Sequence, residues 1–563
     1  MKKVLPTLVI LILIGVLGTV FYRNYFVKYT YSEETVDLNL YYEVAGEDDY
    51  PVVLGDQWSD YHARKIGEHY YLDFETVYSL LNDRFYYGAE DGVLCYCLPE
   101  TRITAKVGES AWKDSSGAET KEDYVICAEA DDKIYVALDF VRKYTNFSYE
   151  AFTQPNRISL YKEWGDRQEA TVTKTTKLRA SGGVKSKVVS EVTEGSKVVV
   201  IERMDNWSKV VTQDVMIGYM ENRKMTEPET VAMTPVTDYQ EPEYKRTALD
   251  GKVNMVWHNI AGASGNTTFN ERIDRTKSVN VVAPTWFVVL GDTGSVEVRA
   301  TQDYVDAAHE RGMAVWAVLD NFTGPEGVQQ KFLASDEARS SVISKVIETA
   351  GEMGIEGINV DIEGISEKYG RDFIEFIREF SIACRREGIV LSVDNYVPYN
   401  FNDYYRLDEQ GVFADYVVIM GYDEHYAGSQ EPGSVASIGY VTYGIEEALK
   451  YVPKEKLING IPFYTRVWKT TAEGVSSQAY GMNEVQTFIA NHGMNVEWNA
   501  ATEQNYAEVS EDDATYQIWI EDAESIEKKL EVMQSHSVAG VAQWCLGMES
   551  SDVWDVIAAY MEK

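Results

Sequence analysis

At 563 residues the chain is too long for one ordinary domain and suggests about three or four. Its 45% hydrophobic and 25% charged residues are those of a globular protein. A formal net charge of -38 argues against binding nucleic acid or an anionic membrane surface and fits a neutral or cationic partner. The 39 tyrosines and 12 tryptophans suit sugar binding and core packing alike. The cysteines Cys95, Cys97, Cys127, Cys384 and Cys545 are odd in number and form no C-x-x-C, so neither a disulfide framework nor a zinc signature is expected. The seven histidines make no H-E-x-x-H.

In chain order, Lys2 and Lys3 precede an apolar run from Val4 to Phe21 that is close to the minimum for a bilayer span. It ends on Phe21, Tyr22 and Arg23, which suit the interface, and no clear small-x-small cleavage site follows. Residues 1–30 therefore predict an uncleaved signal-anchor, a transmembrane helix with the lysines inside. A cleaved signal peptide is the alternative. Both place the bulk of the chain outside the cell, and few cysteines favour a Gram-positive-like envelope.

Residues 31–165 hold a degenerate repeat. YLDFETVYSLLNDRFYY (71–87) is similar to YVALDFVRKYTNFSYEA (135–151), each a strand start passing into an amphipathic helix and followed by strand-like residues. This α+β unit resembles the small module at the N-terminus of copper amine oxidases, without evident copper ligands. Residues 166–224 read as short alternating strands punctuated by Gly182-Gly183, Glu194-Gly195 and Asp205-Asn206. The Leu-Arg start, Trp207, Val210 and Gly218-Tyr219 resemble the bacterial SH3 domain, an all-β barrel. Residues 225–249, with Pro228, Pro235 and Pro242 among acidic residues, predict a semi-rigid linker.

From 250 to 563 strand-like and helix-like runs alternate. The strands are expected at 253–260, 279–289, 313–322, 357–365, 389–397, 416–423, 457–465 and 538–547. Helical periodicity between them is clear in GRDFIEFIREFSIACRREG, with Phe373, Phe376, Ile377 and Phe380 on one face. Eight such repeats in about 300 residues predict a (β/α)8 TIM barrel. A Gly- and Asn-rich stretch, 474–515, separates strand 7 from strand 8 and predicts an α+β insertion beside the site.

The fourth strand carries the chemistry. In GINVDIEGI the apolar Ile358, Val360 and Ile362 alternate with Asn359, Asp361 and Glu363, so the polar three share one face and point into the barrel. Glu363 stands nearest the C-terminal end, where barrels of this type react. Two neighbouring buried carboxyls cannot both ionise cheaply, so one is expected to stay protonated near neutral pH, as a general acid must.

Glu356-x-x-Asn359-x-Asp361-x-Glu363 resembles the D-x-x-D-x-D-x-E signature of glycoside hydrolase family 18, the chitinases and related N-acetylglucosaminidases, with Glu and Asn replacing the first two Asp. MGYD (420–423) resembles the family's Met-x-Tyr-Asp, and Trp544 its strand-end tryptophan. PTWF, WHNI, GIPFYTRVW and YQIWIED resemble the bacterial envelope and spore-wall branch.

The resemblance implies substrate-assisted retaining catalysis, an exception to the two-carboxylate rule. Glu363 would protonate the leaving oxygen. Asp361 would orient the substrate's 2-acetamido N–H, and Tyr422 would hydrogen-bond its oxygen. Asn359, Asp423, Trp544, Trp286 and Arg466 would bind sugar, with Trp544 the floor under the −1 unit. Trp286, Trp257 and Trp468 serve equally well as core, and His258 and His425 as hydrogen-bonded strand-end residues. Asn359 cannot take a proton, so Asp361 is expected to ionise more easily than in a three-Asp enzyme.

The partner implied is a polymer containing N-acetylglucosamine, most readily peptidoglycan, with no cofactor and no metal. A chitinase, or a sugar-binding protein on the same barrel without turnover, are the alternatives.

Overall fold

The computed structural model describes residues 4–234, 237 and 239–563; Lys2, Lys3 and the linker's Pro235 lie outside them. The chain forms two compact units. One comprises Met1–Phe85, Ala105–Lys113 and Glu119–Glu241; the other Tyr86–Thr104, Asp114–Ala118 and Pro242–Lys563.

The first unit begins with the helix Val4–Phe21, exposed where its side chains are described. The segment Thr7–Val27 is long and apolar enough to cross a membrane. A seven-stranded sheet follows. In it the two repeat segments meet, because His69–Asp73 pairs antiparallel with Lys133–Ala137, Leu72 opposite Val136. Each strand runs straight into a short helix, Phe74–Thr76 or Leu138–Val141.

A second seven-stranded antiparallel sheet packs Leu178, Val198, Val210, Ile217 and Met220 into its own core. Its last strand, Glu229–Ala232, pairs with Asp166–Thr171. The expected linker therefore starts later than 225, because Thr230 and Val231 find ladder partners in Gln168 and Arg167.

The second unit contains eight parallel strands in a closed ring. They are β1 (Val253–His258), β2 (Val281–Val289), β3 (Ala314–Asp320), β4 (Gly357–Asp361), β5 (Val390–Tyr396), β6 (Tyr416–Met420), β7 (Leu457–Pro462) and β8 (Gly540–Trp544). Each pairs with the next, and β8 returns to β1. Parallel strands covered by helices are buried on both faces, which is why β2 reads as an almost unbroken apolar run.

The helix Gly370–Glu387 turns Phe373, Phe376, Ile377 and Phe380 to the core, each burial contributing about 1.5–3 kcal/mol. Gly388 at φ 68° ends it, since the left-handed turn suits a residue without Cβ. On β4, Gly357 leaves room for Trp316, whose ring lies 2.3 Å from where a Cβ would stand.

The insertion is larger than the sequence suggests. Strand 7 stops at Pro462, and Tyr464–Thr471 opens a five-stranded sheet that runs to Ile520 and carries the helix Met482–Asn491.

Candidate active site

β4 is shorter than its sequence pattern, ending at Asp361. Beyond it, side chains hold Glu363 in place. The Glu363 N–H donates to Asn321 Oδ1 (2.9 Å), and Asn321 Nδ2 donates to the Glu363 carbonyl (3.1 Å). An amide at the end of β3 thus continues the backbone pairing by one step, and Gly364 at φ 70° then turns the chain away. The Glu363 carboxyl is half-buried and accepts a hydrogen bond from the Tyr396 hydroxyl at 2.7 Å. Burial raises its pKa, the Tyr396 bond opposes the rise, and Asp423 adds to it.

Asn359 and Asp361 are fully enclosed, at 0% and 3% exposure. Asn359 accepts from Trp257 Nε1 (2.8 Å) and donates to Ser392 Oγ (2.9 Å) and Asp394 Oδ1 (2.8 Å). Asp361 Oδ1 has no hydrogen-bond partner. Its pKa stands well above the ordinary range, first through desolvation and then through Asp394, Glu363 and Asp320. Asn359 brings no charge to this set. The carboxyl that acts most on Asp361 is Asp394, from the adjacent strand. Burial pushes Asp394 up to about 8, while the Asn359 bond pulls the other way. Asp320, opposite Asp361 on β3, is pushed by burial to about 6.

Tyr422 is buried at the end of β6, with its ring 6.4 Å from Trp257 and 6.3 Å from Tyr464. Gly460 on β7 makes the space, because a Cβ there would stand 3.1 Å from the Tyr422 ring. Desolvation first, then Asp361, hold the Tyr422 phenol protonated and able to donate. Asp423 is exposed, in the left-handed region (φ 59°) that short polar residues tolerate, and accepts from the Tyr464 hydroxyl at 2.5 Å.

Trp544 is half-buried, 5.9 Å from Trp257. Arg466 lies on the first insertion strand, bonded to Ser477 (3.2 Å), with its buried Nε unpartnered. Its charge acts on Tyr464, which links it to Asp423.

Trp286 departs from expectation. It is fully buried, donates to Asn266 Oδ1 (2.8 Å) and packs edge-on to Tyr304, so it is core and has no face for sugar. Trp468 is also core, bonded to the Gly433 carbonyl. His258 is enclosed between Tyr304 and Thr268, its pKa pushed by burial to about 4, and stays neutral. Glu356, the first motif position, accepts from the Val315 N–H and pairs with His309 at 2.7 Å, away from the site.

The sequence reading did not single out Asp320, Asn321, Asp394 and Tyr396. A signal was present: Asp-Asn-aromatic recurs at the C-terminal ends of two strand-like runs, as Asp320-Asn321-Phe322 and Asp394-Asn395-Tyr396.

Chemically, a half-exposed acid with a raised pKa stands beside a buried carboxyl pair and a protonated phenol. That set can deliver a proton and stabilise positive charge.

Residues 324–549 match the family model for glycosyl hydrolases family 18. The match contains every expected site residue except Trp286. Among curated proteins, the chain is 24% identical over 320 residues to the uncharacterized glycosylase YvbX of Bacillus subtilis, covering 54% of this chain and 92% of that protein. It is 23% identical over 255 residues to the cortical fragment-lytic enzyme of Bacillus subtilis, covering 43% of this chain and 58% of that one. Among solved structures, the chitinase of Chromobacterium violaceum aligns at TM-score 0.50 with 21% identity, covering 56% of this chain and all of that one. The Bacillus cereus spore cortex-lytic enzyme SleL aligns at TM-score 0.50 with 18% identity, covering 60% and 78%. These structures share the barrel fold. The chain is a glycoside hydrolase, and over residues 324–549 it is similar to glycosyl hydrolases family 18.

Proposed function

We propose that this protein is anchored in the cell membrane by its N-terminal helix and cleaves β-1,4 bonds of an N-acetylglucosamine-containing polymer outside the cell, peptidoglycan foremost. The observation that carries the reading is Glu363, alone half-exposed above the enclosed Asp361 and clamped by Asn321 and Tyr396.

Glu363 gives its proton to the leaving glycosidic oxygen. The substrate's own acetamido oxygen attacks the anomeric carbon and closes an oxazolinium ring. Asp361 orients the acetamido N–H and balances the positive charge, and Tyr422 donates to the acetamido oxygen. Glu363, now ionised, takes a proton from the water that opens the ring. Asp423 and Arg466 hold sugar hydroxyls, and Trp544 lies under the −1 sugar.

The peptidoglycan reading draws support from the likeness to a cortical fragment-lytic enzyme and from the apolar segment Thr7–Val27. The all-β segment 166–224 is read as SH3-like and the α+β repeat in 31–165 as a spacer toward the wall.

The test is digestion of purified peptidoglycan and of chitin oligomers by the full chain in detergent, beside Glu363→Gln. New N-acetylglucosamine reducing ends from peptidoglycan, absent with the mutant, establish the wall activity. Release from chitin oligomers alone makes it a chitinase. Release from neither by folded protein leaves a sugar-binding role.

A further inference from the structure

We infer that the proton-sharing partner of Asp361 in this chain is Asp394, across the strand pair β4–β5, and that Asn359 positions it. The mechanistic consequence rests on the substrate-assisted reading above; the geometry does not.

An indole N–H only donates, so Trp257 Nε1 fixes which end of the Asn359 amide it faces. The NH2 end must then point to Ser392 Oγ and Asp394 Oδ1. Asp394 Oδ1 is thereby occupied as an acceptor. Any proton on Asp394 sits on Oδ2, which is buried without a partner. Asp361 Oδ1 is in the same condition. Asn359 opposes Ser392 and Val360 opposes Val393 in the ladder, so the next residues, Asp361 and Asp394, are neighbours on paired strands.

Both oxygens are buried without a partner, and one proton held between the carboxyls makes one the donor and the other the acceptor of a single hydrogen bond. Among the described residues, the groups facing the pair do not supply a cation. They are Asp320 on β3, Glu363 beyond β4, Tyr405 after β5, Tyr422 after β6 and the neutral Trp257 on β1. Further out, Glu297 and Arg299 act on Asp320, and Asp423 acts on Glu363.

As the oxazolinium ring forms, the O–H bond at Asp361 breaks and one forms at Asp394 Oδ2. Asp361 becomes the anion beside the developing positive charge, and no proton leaves the pair. The transfer reverses when water opens the ring. Asp394 touches no substrate; it acts through Asp361.

The experiment uses full-length protein in detergent. Asp394→Asn should lower kcat about 100-fold with KM changed less than about threefold, the low end of what a proton-transfer group contributes. Asn359→Asp/Asp394→Asn, which returns the second carboxyl to β4, should recover to within about tenfold of the unmutated enzyme, with its pH–rate profile. Wild-type kcat and pH profile in Asp394→Asn would overturn the inference, as would a folded double variant no better than the single one.

If Asp394→Asn does not fold, infrared spectroscopy of the unmutated protein and of Glu363→Gln decides. A protonated-carboxyl stretch present at pH 7 in both, and lost only as pH rises further, supports the shared proton. Its absence overturns it. Lack of turnover by the unmutated chain sinks the proposed function, whereas the infrared band still judges the carboxyl pair.

Discussion

The barrel unit buries two clusters of carboxylates, and they are resolved in opposite ways. On its outer wall Glu375, Glu379 and Glu409 meet Arg378, Arg339 and Arg102. Arg339 Nη2 lies 3.0 Å from Glu379, Arg378 Nη2 2.6 Å from Glu409, and Arg102 Nη2 3.3 Å from Glu379. Burial would lower the Arg339 pKa, but Glu379 outweighs it and holds the guanidinium charged. Inside the barrel, Asp394 and Glu363 have neutral hydrogen-bond partners, and they and Asp361 have anionic neighbours. The comparison teaches that burial alone does not make an acid reactive. Where guanidinium groups are supplied, the charges become architecture. Where they are withheld, burial and like charge raise the carboxyls' pKa values and favour their protonated forms.

The sharpest way to break this contrast is to remove the acid. Glu363→Gln should reduce glycoside turnover about 100- to 10,000-fold while Tm stays within a few degrees, read by reducing-end release and calorimetry. The outer cluster should respond the other way. Arg339→Met leaves Glu379 buried with one cation fewer and should cost about 3–5 kcal/mol in urea unfolding, with an unchanged pH–rate profile.

The pH dependence of stability separates the clusters further. Asp394 is raised to about 8 and Asp320 to about 6, so the folded state binds more protons than the unfolded chain between its ordinary carboxylate range and those values. Their contribution is full at low pH and is lost as pH rises toward 8. The difference in Tm between the unmutated chain and Asp394→Asn should therefore change across that window, and a difference independent of pH would contradict it.

A smaller effect is expected for Tyr396→Phe. Its hydroxyl lowers the Glu363 pKa, so its loss should move the alkaline limb of the pH–rate profile upward and change kcat only several-fold. The smallest is Trp286→Phe, which loses the Asn266 bond. It should cost about 0.5–1.5 kcal/mol of stability with KM unchanged, whereas Trp544→Ala should raise KM.

Much of the barrel was legible because its signals are local. Alternation along 357–363 and the three-four spacing of Phe373, Phe376, Ile377 and Phe380 each lie within one element. Trp286 misled because a large aromatic at a strand end reads the same whether it faces the cleft or a helix, and only the contact with Tyr304 distinguishes them. The insertion was underestimated because Tyr464–Thr471 reads as a continuation of β7 until its partners Gly474–Gly481 and Ala514–Ile520 are seen.

By itself the sequence determined the barrel's strand order, the acid Glu363 with Asp361 two residues before it, and an apolar N-terminal segment. All of these are properties of spacing along one chain. The tertiary structure decided which groups share a charge. Asp394 lies far from Asp361 in sequence but beside it across paired strands, and the orientation of Asn359 depends on Trp257 from β1. Electrostatic coupling acts through space between adjacent strands, and local periodicity carries no record of which strand will be the neighbour.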